Sequence, residues 1–444
     1  MTLDFTPRTA FGNGPTHGLA SVLVPSLSLA PALALSVVFA LALFSGPSAW
    51  AETSPYYIGA SQEFSHNSNL FRVGESQASR SDTISSTALL AGIDQPFGRQ
   101  RLRLDGTLQT NRFSNNPDLN NIGYGLNAAL DWATINRLSG TVSYFANQNL
   151  ANYGTPNTLQ ITSRNIQKTQ QFLAQAVLGG VTILSFTGGY SHRTVDYSAP
   201  AYDAQQFEQD SGNLGLRYRF SGALDVGASL RMTRGRFPHF QAGAGGGFEA
   251  DTLDRRDFDL TSNWTPTGAT SLSARVSFGR QTHSVSSQRD FSGVTGSLSI
   301  DHNPGGKLRF AALLSRDTGV ENSFLTLFDI NGAPTRVVAD NSRLSTAAQL
   351  SANYEATAKI QLNATLRVSQ RSLVDTLTLS NGGAATGNTG SDTVSSVAFG
   401  ASYAPLRNLS LACNAAREDR RTSSALSSTY GVNSVGCLAK YLLR

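Results

Sequence analysis

The stretch RLRLDGTLQT, residues 101–110, alternates apolar and polar residues almost without error. Alternation with a period of two places the leucines on one side of a β-strand and the charged residues on the other. Such a strand suits two environments. In a water-soluble sandwich the leucines face a core, whereas in a membrane barrel they face lipid and the arginines line a water-filled lumen.

The same alternation recurs along the chain, and beyond residue 51 no helical period competes with it. It is clearest in five further segments: 124–132, 214–220, 224–232, 272–278 and 360–368. In each of them apolar side chains share one face and polar or small ones the other. The sequence therefore predicts an all-β chain.

Composition helps to separate the two environments. Charged residues make up 15% of the chain, well below the roughly 25% usual in soluble domains. Hydrophobic residues make up 40%, which suits a barrel better than a helical membrane protein built from runs of about 20 apolar residues. The net charge is +5 and no dense basic cluster occurs, so we expect no binding to nucleic acid.

One long apolar segment, residues 27–44, lies near the start of the chain. Small residues follow it, and Ala49-Trp50-Ala51 fits a cleavage site before Glu52. We interpret residues 1–51 as a secretory signal peptide and residues 52–444 as the exported protein. The alternative is an uncleaved transmembrane anchor.

Eight short turns punctuate the exported region. They begin at Gln95, Thr134, Gly179, Phe220, Thr265, Asn303, Glu355 and Ala404. Between them lie longer loops rich in Asn, Ser, Gly and Asp, such as those starting at Ser114, Phe240 and Ser380. Short turns at one end and long loops at the other are typical of an outer-membrane barrel.

Eight short turns and nine longer loops predict a transmembrane antiparallel up-and-down β-barrel of about 18 strands, located in the outer membrane of a Gram-negative bacterium. Sixteen strands is the alternative count, because residues 324–338 are apolar enough to form a hairpin inside a loop. A β-propeller or solenoid would also repeat, but its strands are typically shorter. Trp132 and Trp264 both stand just before a short turn, where an interfacial aromatic girdle is expected.

Three segments resemble a known family. They are HNSNLFRV from His66, SDTISSTALLAGIDQPFGRQR from Ser81, and SQRDFSGVTGSLSIDHNPGGKL from Ser287. Through them residues 55–441 resemble the outer-membrane β-barrel family of exopolysaccharide biosynthesis operons (EpsL-type), often linked to exosortase/PEP-CTERM systems. The resemblance implies a role in polysaccharide synthesis or export, with exopolysaccharide, a periplasmic polysaccharide-export protein and an inner-membrane synthesis complex as partners. It brings no catalytic residues and no cofactor.

If the apolar face contacts membrane lipid, the opposite face lines the lumen. The candidate lumen-lining residues are Arg101, Arg103, Asp105, Arg217, Arg219, Arg231, Arg275, Arg309, Arg343, Arg367 and Arg371. Arginine-rich pores favour anions, so we hypothesise a polar, Arg-lined channel for an anionic or polar glycan. One alternative is that these charges pair across strands and only solvate the wall. A general porin or small-molecule channel is the alternative function.

An enzyme is the less favoured class. Histidines follow the signal segment at five positions, namely His66, His192, His239, His283 and His302. They do not stand beside a convincing serine and acidic partner. Asp257 and Asp259 share a face at roughly the spacing of a glycosidase pair, as residues of many strands do. We therefore predict no catalytic residue, no metal site and no cofactor.

Cys413 and Cys437 are the two cysteines of the chain. Both fall in the last two predicted strands, at positions of the same parity. If the final hairpin turns near Ala425, they stand nearly opposite each other, and a disulfide can form in an oxidising compartment. The alternative is two small lipid-facing residues.

Overall fold

The computed structural model describes residues 54–135, 137–154, 161–243, 247–318, 326–328, 334–336, 344–377, 386–424 and 427–443. Within these ranges eighteen antiparallel strands form one sheet. No helix in the described part of the chain is long and apolar enough to cross a membrane. The predicted signal peptide, residues 1–51, lies outside the described residues.

The strand bounds in the first half of the sheet are β1 Tyr56–Asn67, β2 Asp82–Phe97, β3 Gln100–Phe113, β4 Asn121–Ala133, β5 Leu138–Leu150, β6 Ile166–Leu178, β7 Leu184–Tyr197, β8 Phe207–Arg219 and β9 Leu224–Ala242. The second half comprises β10 Phe248–Thr267, β11 Thr270–His283, β12 Phe291–His302, β13 Leu308–Asp317, β16 Leu344–Glu355, β17 Ile360–Leu377, β18 Thr386–Tyr403, β19 Leu409–Thr422 and β20 Tyr430–Leu443. The strands β14 Thr326–Phe328 and β15 Pro334–Arg336 form a separate hairpin.

Each barrel strand pairs with its neighbours along the chain, and the first strand pairs with the last. Tyr56 of β1 lies opposite Ile93 of β2, and Ile58 lies opposite Leu443 of β20. The described sheet is therefore a closed barrel without an open edge. Closure matters because lipid offers no hydrogen-bond partners for the backbone groups of an unpaired strand.

The connections confirm the predicted asymmetry. All eight predicted short turns join neighbouring strands at one end of the barrel, which we call the short-turn end. Gly98 and Gly305 adopt positive φ angles of 62° and 80° in two of these turns, a conformation that glycine accepts without a steric penalty. The other end, the long-loop end, carries the longer connections. Short turns face the periplasm and long loops the exterior.

The count of eighteen strands in the described residues agrees with the prediction, and the apolar segment 324–338 contains the small hairpin β14–β15 rather than barrel strands. Two predicted loops are shorter than expected. Strands β9 and β10 extend to Ala242 and Phe248, and β18 starts at Thr386. Glycine and small polar residues there continue the strand pairing instead of ending it.

The outer face of the barrel is apolar. Leu108, Leu230 and Phe278 are 54%, 62% and 51% exposed, and Leu102 and Leu104 share the face of Leu108. Apolar surface of this extent on a closed barrel is covered by lipid. The protein therefore resides in the outer membrane of a Gram-negative bacterium.

Aromatic side chains on the outer face follow the predicted parity. Tyr144, Tyr190 and Tyr218 are exposed there. Near the short-turn end, Trp264 is exposed, and the ring of Trp132 lies against the backbone of Gly140 on the neighbouring strand. Both tryptophans thus occupy the level at which a periplasmic girdle is expected.

Candidate functional site

The lumen is the candidate site, and the structure places the predicted residues on its wall. Most of them alternate with exposed apolar neighbours on the outer face, as Arg231 does between Leu230 and Met232. The residues on the inner face are Arg101, Arg103, Asp105, Arg217, Arg219, Arg231, Arg275, Arg309, Arg367 and Arg371. The remaining candidate, Arg343, lies outside the described residues.

At the short-turn end, arginines pair with carboxylates while staying in contact with solvent. Arg101 donates two hydrogen bonds of 2.6 Å to Asp94, and Arg103 Nη2 lies 2.5 Å from Asp131 Oδ2. Each of these side chains is between about one third and one half exposed. These are cross-strand pairs on a hydrated wall.

Two further contacts belong to this level of the lumen. Arg309 Nη2 lies 3.2 Å from Glu355 Oε1, again with both side chains about half exposed. The Tyr57 hydroxyl donates to Asp105 at 2.7 Å. We call the pairs Asp94–Arg101, Arg103–Asp131 and Arg309–Glu355 the short-turn ion pairs.

Farther from the short turns, β9 to β13 carry a buried ionic cluster. Arg231 Nε donates to Asp259 at 2.9 Å, and Arg255 Nη2 donates to Asp257 at 2.8 Å. Arg275 Nη2 donates to Asp317 at 3.0 Å. The carboxylates and Arg255 are almost completely shielded from solvent. We call these six residues the arginine–aspartate network.

Local sequence explains how the network forms. Arg255, Asp257 and Asp259 alternate along β10, so their side chains share the lumen face. On β9, Arg231 lies opposite Asp257. Its guanidinium contacts both aspartates, with Nη2 3.3 Å from Asp257 Oδ2. The two aspartates considered as a glycosidase pair therefore accept hydrogen bonds from arginines.

A second charged cluster lines β17 to β20. Arg371 donates two 2.7 Å hydrogen bonds to Asp392, and Arg420 approaches the same carboxylate at 3.6 Å. Arg72, from the loop after β1, lies 3.2 Å from Glu418. Sequence reasoning missed Asp392 and Glu418, although Asp392 stands at the lumen parity of β18, opposite Arg371, and strand register could have indicated it.

Three other arginines of the predicted set differ in their contacts. Arg219 donates to the carbonyl oxygen of Gly180 at 2.8 Å. Among the described residues the Arg217 guanidinium has no hydrogen-bond or ion-pair partner, whereas the side chain of Arg367 interacts with its surroundings. Most of the described arginines predicted for the lumen are paired with carboxylates. They are the three arginines of the short-turn ion pairs together with Arg231, Arg275 and Arg371. Pairing across strands thus describes most of the wall.

Apolar side chains cover the lumen at the long-loop end. One cluster contains Leu70, Phe71, Val73, Phe113, Leu119 and Tyr153. Three of these come from the loop after β1, and Tyr153 comes from the loop after β5. Phe71 is 1% exposed and meets Tyr153 edge-on, with ring centroids 5.0 Å apart. Burial raises the pKa of Tyr153 to about 12, and its hydroxyl donates a hydrogen bond of 2.9 Å to the carbonyl oxygen of Ser163.

A second cluster continues the first through the shared contact residue Ile161. Its members are Ala151, Val195, Tyr197, Tyr202, Phe207, Phe237 and Leu253. The strand residues among them stand at the lumen parity of their strands, like Thr233 on β9 and Arg255 on β10. The two clusters together, which we call the loop cover, therefore lie over the lumen.

The segment after β5 extends the loop cover across the barrel. Arg420 on β19 donates to the carbonyl oxygen of Gly154. A Cβ atom added at Gly154 would lie 3.0 Å from the Tyr430 hydroxyl and 2.5 Å from Arg72 Cδ, so this glycine is packed closely against both side chains. Strands β5 and β19 are six strands apart around the barrel, so this chain segment narrows the lumen.

Within the described ranges no histidine side chain contacts a serine side chain or joins a metal-binding set. Buried His283 contacts Asp251 and Gln281, each at 2.8 Å. His192 contacts Asp210 at 2.9 Å on the outer face, whereas its neighbour Ser191 points into the lumen. No group of three or more His, Cys, Asp or Glu side chains able to hold a metal ion occurs among the described residues.

The remaining histidines contact neutral side chains. His66 meets Thr83 at 3.1 Å, His239 meets Gln206 at 2.9 Å, and His302 meets Thr270 at 3.0 Å. Each sits near the end of a strand, where it pairs with a residue of an adjacent segment.

Cys413 and Cys437 lie directly opposite each other on β19 and β20. The structure joins them by a disulfide, with their Cα atoms 4.1 Å apart. They share the outer face with exposed Phe64 and Val435. The bond is therefore on the lipid side of the wall and does not contact the lumen.

No family model and no curated protein matches the chain. Several solved structures of Pseudomonas aeruginosa outer-membrane proteins are similar to it. OccK5 (OpdH) matches with a TM-score of 0.40 and 13% identity over 88% of this chain and 98% of that chain. OpdK matches with 0.42 and 15% over 87% and 98%, and OccK9 (OpdG) with 0.42 and 15% over 87% and 97%.

The closed circuit of strands, the apolar outer face and the polar interior define an outer-membrane β-barrel with the architecture of a channel. More specifically, its lumen wall is hydrated at the short-turn end and covered at the long-loop end.

Proposed function

We propose that the protein is an outer-membrane channel for small polar solutes, with a weak preference for anions. The observation that carries the proposal is the hydrated, ion-paired wall at the short-turn end. A described barrel of this strand number is wide enough for an aqueous passage. Pairing neutralises most wall arginines, while Arg217 and Arg219 contribute positive charge without a carboxylate partner, which accounts for the weak preference.

The loop cover supports a small solute over a polymer. The side chains of Phe71, Tyr202 and Leu253 are at most 1% exposed. The segment at Gly154 reaches across the lumen to Arg420. A polymer needs a continuous bore along its whole length, and this cover narrows the bore at one end. Small solutes need only gaps between loops.

Reconstitution in a planar bilayer tests the proposal. We expect discrete single-channel currents. Across a salt gradient, the reversal potential should lie close to zero, displaced slightly towards the equilibrium potential of the anion. Adding neutral polymers of graded size should show that small polymers enter and large ones are excluded. A protein that inserts correctly and yet carries no current would refute the proposal.

Export of an exopolysaccharide is the second candidate. Two of the segments that carry the family resemblance, at residues 66–73 and 287–308, contribute to the long-loop end, the second through its first residues. The first supplies Leu70, Phe71 and Val73 to the loop cover, and the second supplies Arg289, which lies over the ring of Phe237. The likeness therefore includes residues of the loop cover. A periplasmic polysaccharide-export protein and an inner-membrane synthesis complex would be its partners.

Deletion of the gene separates the two candidates. Loss of polysaccharide from the cell surface with accumulation in the periplasm would favour the export role. Normal surface polysaccharide, together with reduced uptake of small solutes, would favour the small-solute channel. Incubating the purified barrel with lipids and with the producer's own polysaccharide tests for an enzyme, and we expect no turnover.

A further inference from the structure

Arginines are concentrated on the outer face of β9 to β11, just beyond the apolar surface towards the long-loop end. Arg234, Arg236, Arg256 and Arg280 all stand at the outward parity and are exposed. We call these four residues the outer arginine patch. Exposed Leu230, Met232, Phe258 and Phe278 lie next to them on the membrane side.

Two members of the patch form a like-charge pair. Arg256 on β10 lies directly opposite Arg280 on β11, and like charges at this position repel each other. Neither guanidinium has a hydrogen-bond or ion-pair partner among the described residues. A bound anion would convert this repulsion into a shared interaction.

The acidic residues near the patch do not neutralise that pair. Arg234 contacts Asp254 at 3.1 Å, with both side chains highly exposed. Glu208 and Asp210 lie across from Arg236 and Arg234 on β8, and Asp210 is engaged by Tyr190 and His192. Their carboxylates therefore face the β9 arginines and leave Arg256 and Arg280 with excess positive charge.

An apolar groove of about 660 Å³ leads to the patch along the outer face. Its floor is formed by small residues, including Ala174, Ala176, Gly188 and Gly212, and its walls include Trp132, Leu214 and Met232. Glycine and alanine at these outward positions leave a depression where larger side chains would fill the surface.

The groove and the patch share one row of cross-strand neighbours. The row runs from Val142 through Ala174, Tyr190 and Gly212 to Met232. It then continues directly into Arg256 and Arg280. Within the groove, the ends of the row at Val142 and Met232 are four strand spacings apart, a distance of about 19 Å. The row descends from the patch towards the short-turn end, and one leaflet of the hydrocarbon core is about 15 Å thick. An acyl chain of a lipid held at the patch therefore occupies the part of the groove nearest Met232.

We propose that this face binds a phosphorylated glycolipid of the outer leaflet, with a phosphate on Arg256 and Arg280 and an acyl chain in the groove. Charge complementarity argues for the phosphate, since arginine forks bind phosphate with two hydrogen bonds each. The apolar depression beside the cations argues for an acylated ligand over a free anion. The site is independent of whatever crosses the lumen.

Binding to the purified barrel in detergent tests the proposal by native mass spectrometry. The probes are lipid A with two phosphates, the same phosphorylated disaccharide without acyl chains, phosphatidylglycerol and inorganic phosphate. The double variant Arg256→Gln/Arg280→Gln should weaken lipid A binding about tenfold or more, because two charge-assisted interactions are lost. Arg421→Gln, an exposed outward arginine on β19, is the matched control and should bind normally.

The groove has its own variant. A Cβ at Gly212 would meet no atom closer than 3.9 Å, so Gly212→Leu fills the depression without a backbone clash. It should weaken lipid A and leave the deacylated disaccharide unaffected. Three results would overturn the proposal: normal lipid A binding by the double arginine variant, equal binding of inorganic phosphate and lipid A, or a dimer that buries this face against a second copy.

Discussion

The arginine–aspartate network and the short-turn ion pairs use the same residue types on the same face of the same barrel, but in different surroundings. Asp257 and Arg255 in the network are completely shielded from solvent. Arg103 and Asp131 near the short turns are 45% and 38% exposed. The difference arises from what lies above them, because the loop cover closes over one region and leaves the other hydrated.

Burial changes what each pair contributes. Removing one partner of a buried pair leaves an uncompensated charge and costs about 3–5 kcal/mol. An exposed pair contributes about 0–1 kcal/mol. The network should therefore stabilise the covered region, whereas the short-turn ion pairs should set the electrostatic character of an aqueous wall.

The largest effect is expected from Arg255→Met. Arg255 also donates to Thr318 at 2.5 Å and to Thr295 at 3.2 Å, so the substitution leaves Asp257 and both hydroxyls with fewer partners. We expect the free energy of unfolding to fall by about 3 kcal/mol or more, as measured by urea titration of the barrel in lipid. Arg103→Met is the matched control and should stay within about 1 kcal/mol of wild type. Equal losses in both variants would contradict the comparison.

The second effect concerns the loop cover. Phe71→Ala removes a buried ring that contacts Tyr153, and such truncations cost about 3–5 kcal/mol of local packing. The weakened cover should raise single-channel conductance and admit larger neutral polymers. Phe97→Ala, at an exposed position beside a short turn, serves as the control. The role of the cover would be disproved by unchanged conductance in a folded Phe71→Ala protein.

A smaller effect is expected at the uncovered wall. Arg217→Glu combined with Arg219→Glu reverses two charges that have no carboxylate partner, so the reversal potential should move towards cation selectivity. Stability should change little because both side chains are partly exposed. Charge reversal of Arg231 is excluded from this variant, since it would break the buried network. An unchanged reversal potential would show that these arginines do not influence permeation.

The smallest effect is expected at the lipid-facing disulfide. Cys413→Ser combined with Cys437→Ser should leave conductance and selectivity at wild-type values, because the bond does not contact the lumen. Non-reducing mass spectrometry of the wild-type protein should find a mass lower by two hydrogen atoms than the reduced protein. A change in conductance would place the pair in a functional role.

The fold could be predicted closely because its signals are local. Alternation assigns faces, and the turn segments assign connections, as at Gly98 and Gly305. The extent of β9 and β10 was underestimated, because glycine-rich sequence after Phe240 also permits a protruding hairpin. In the structure, residues after Phe240 pair with the start of β10. Such pairing depends on the sequences of both strands together.

The site could be predicted only in part. Parity assigned Arg231 and Arg275 to the lumen, but it could not indicate which arginines would be buried. That depends on the loop cover, where Leu70 and Tyr153 join one cluster from the loops after β1 and β5. Long-range contacts between irregular loops carry no periodic signal. Glu418 was missed for the same reason, because its partner Arg72 comes from such a loop, whereas Asp392 could have been inferred from the register of β17 and β18.

The central claim is that one region of the lumen wall is open to water and the other is covered. Asn353→Cys and Thr233→Cys test it directly. Both side chains are uncharged and face the lumen, yet Asn353 is exposed and Thr233 is 2% exposed. The native cysteines are bonded to each other and do not compete. A charged, water-soluble methanethiosulfonate should modify Asn353→Cys rapidly and Thr233→Cys slowly, with Phe71→Ala accelerating the second. Equal rates at both positions in the otherwise wild-type barrel would contradict the account.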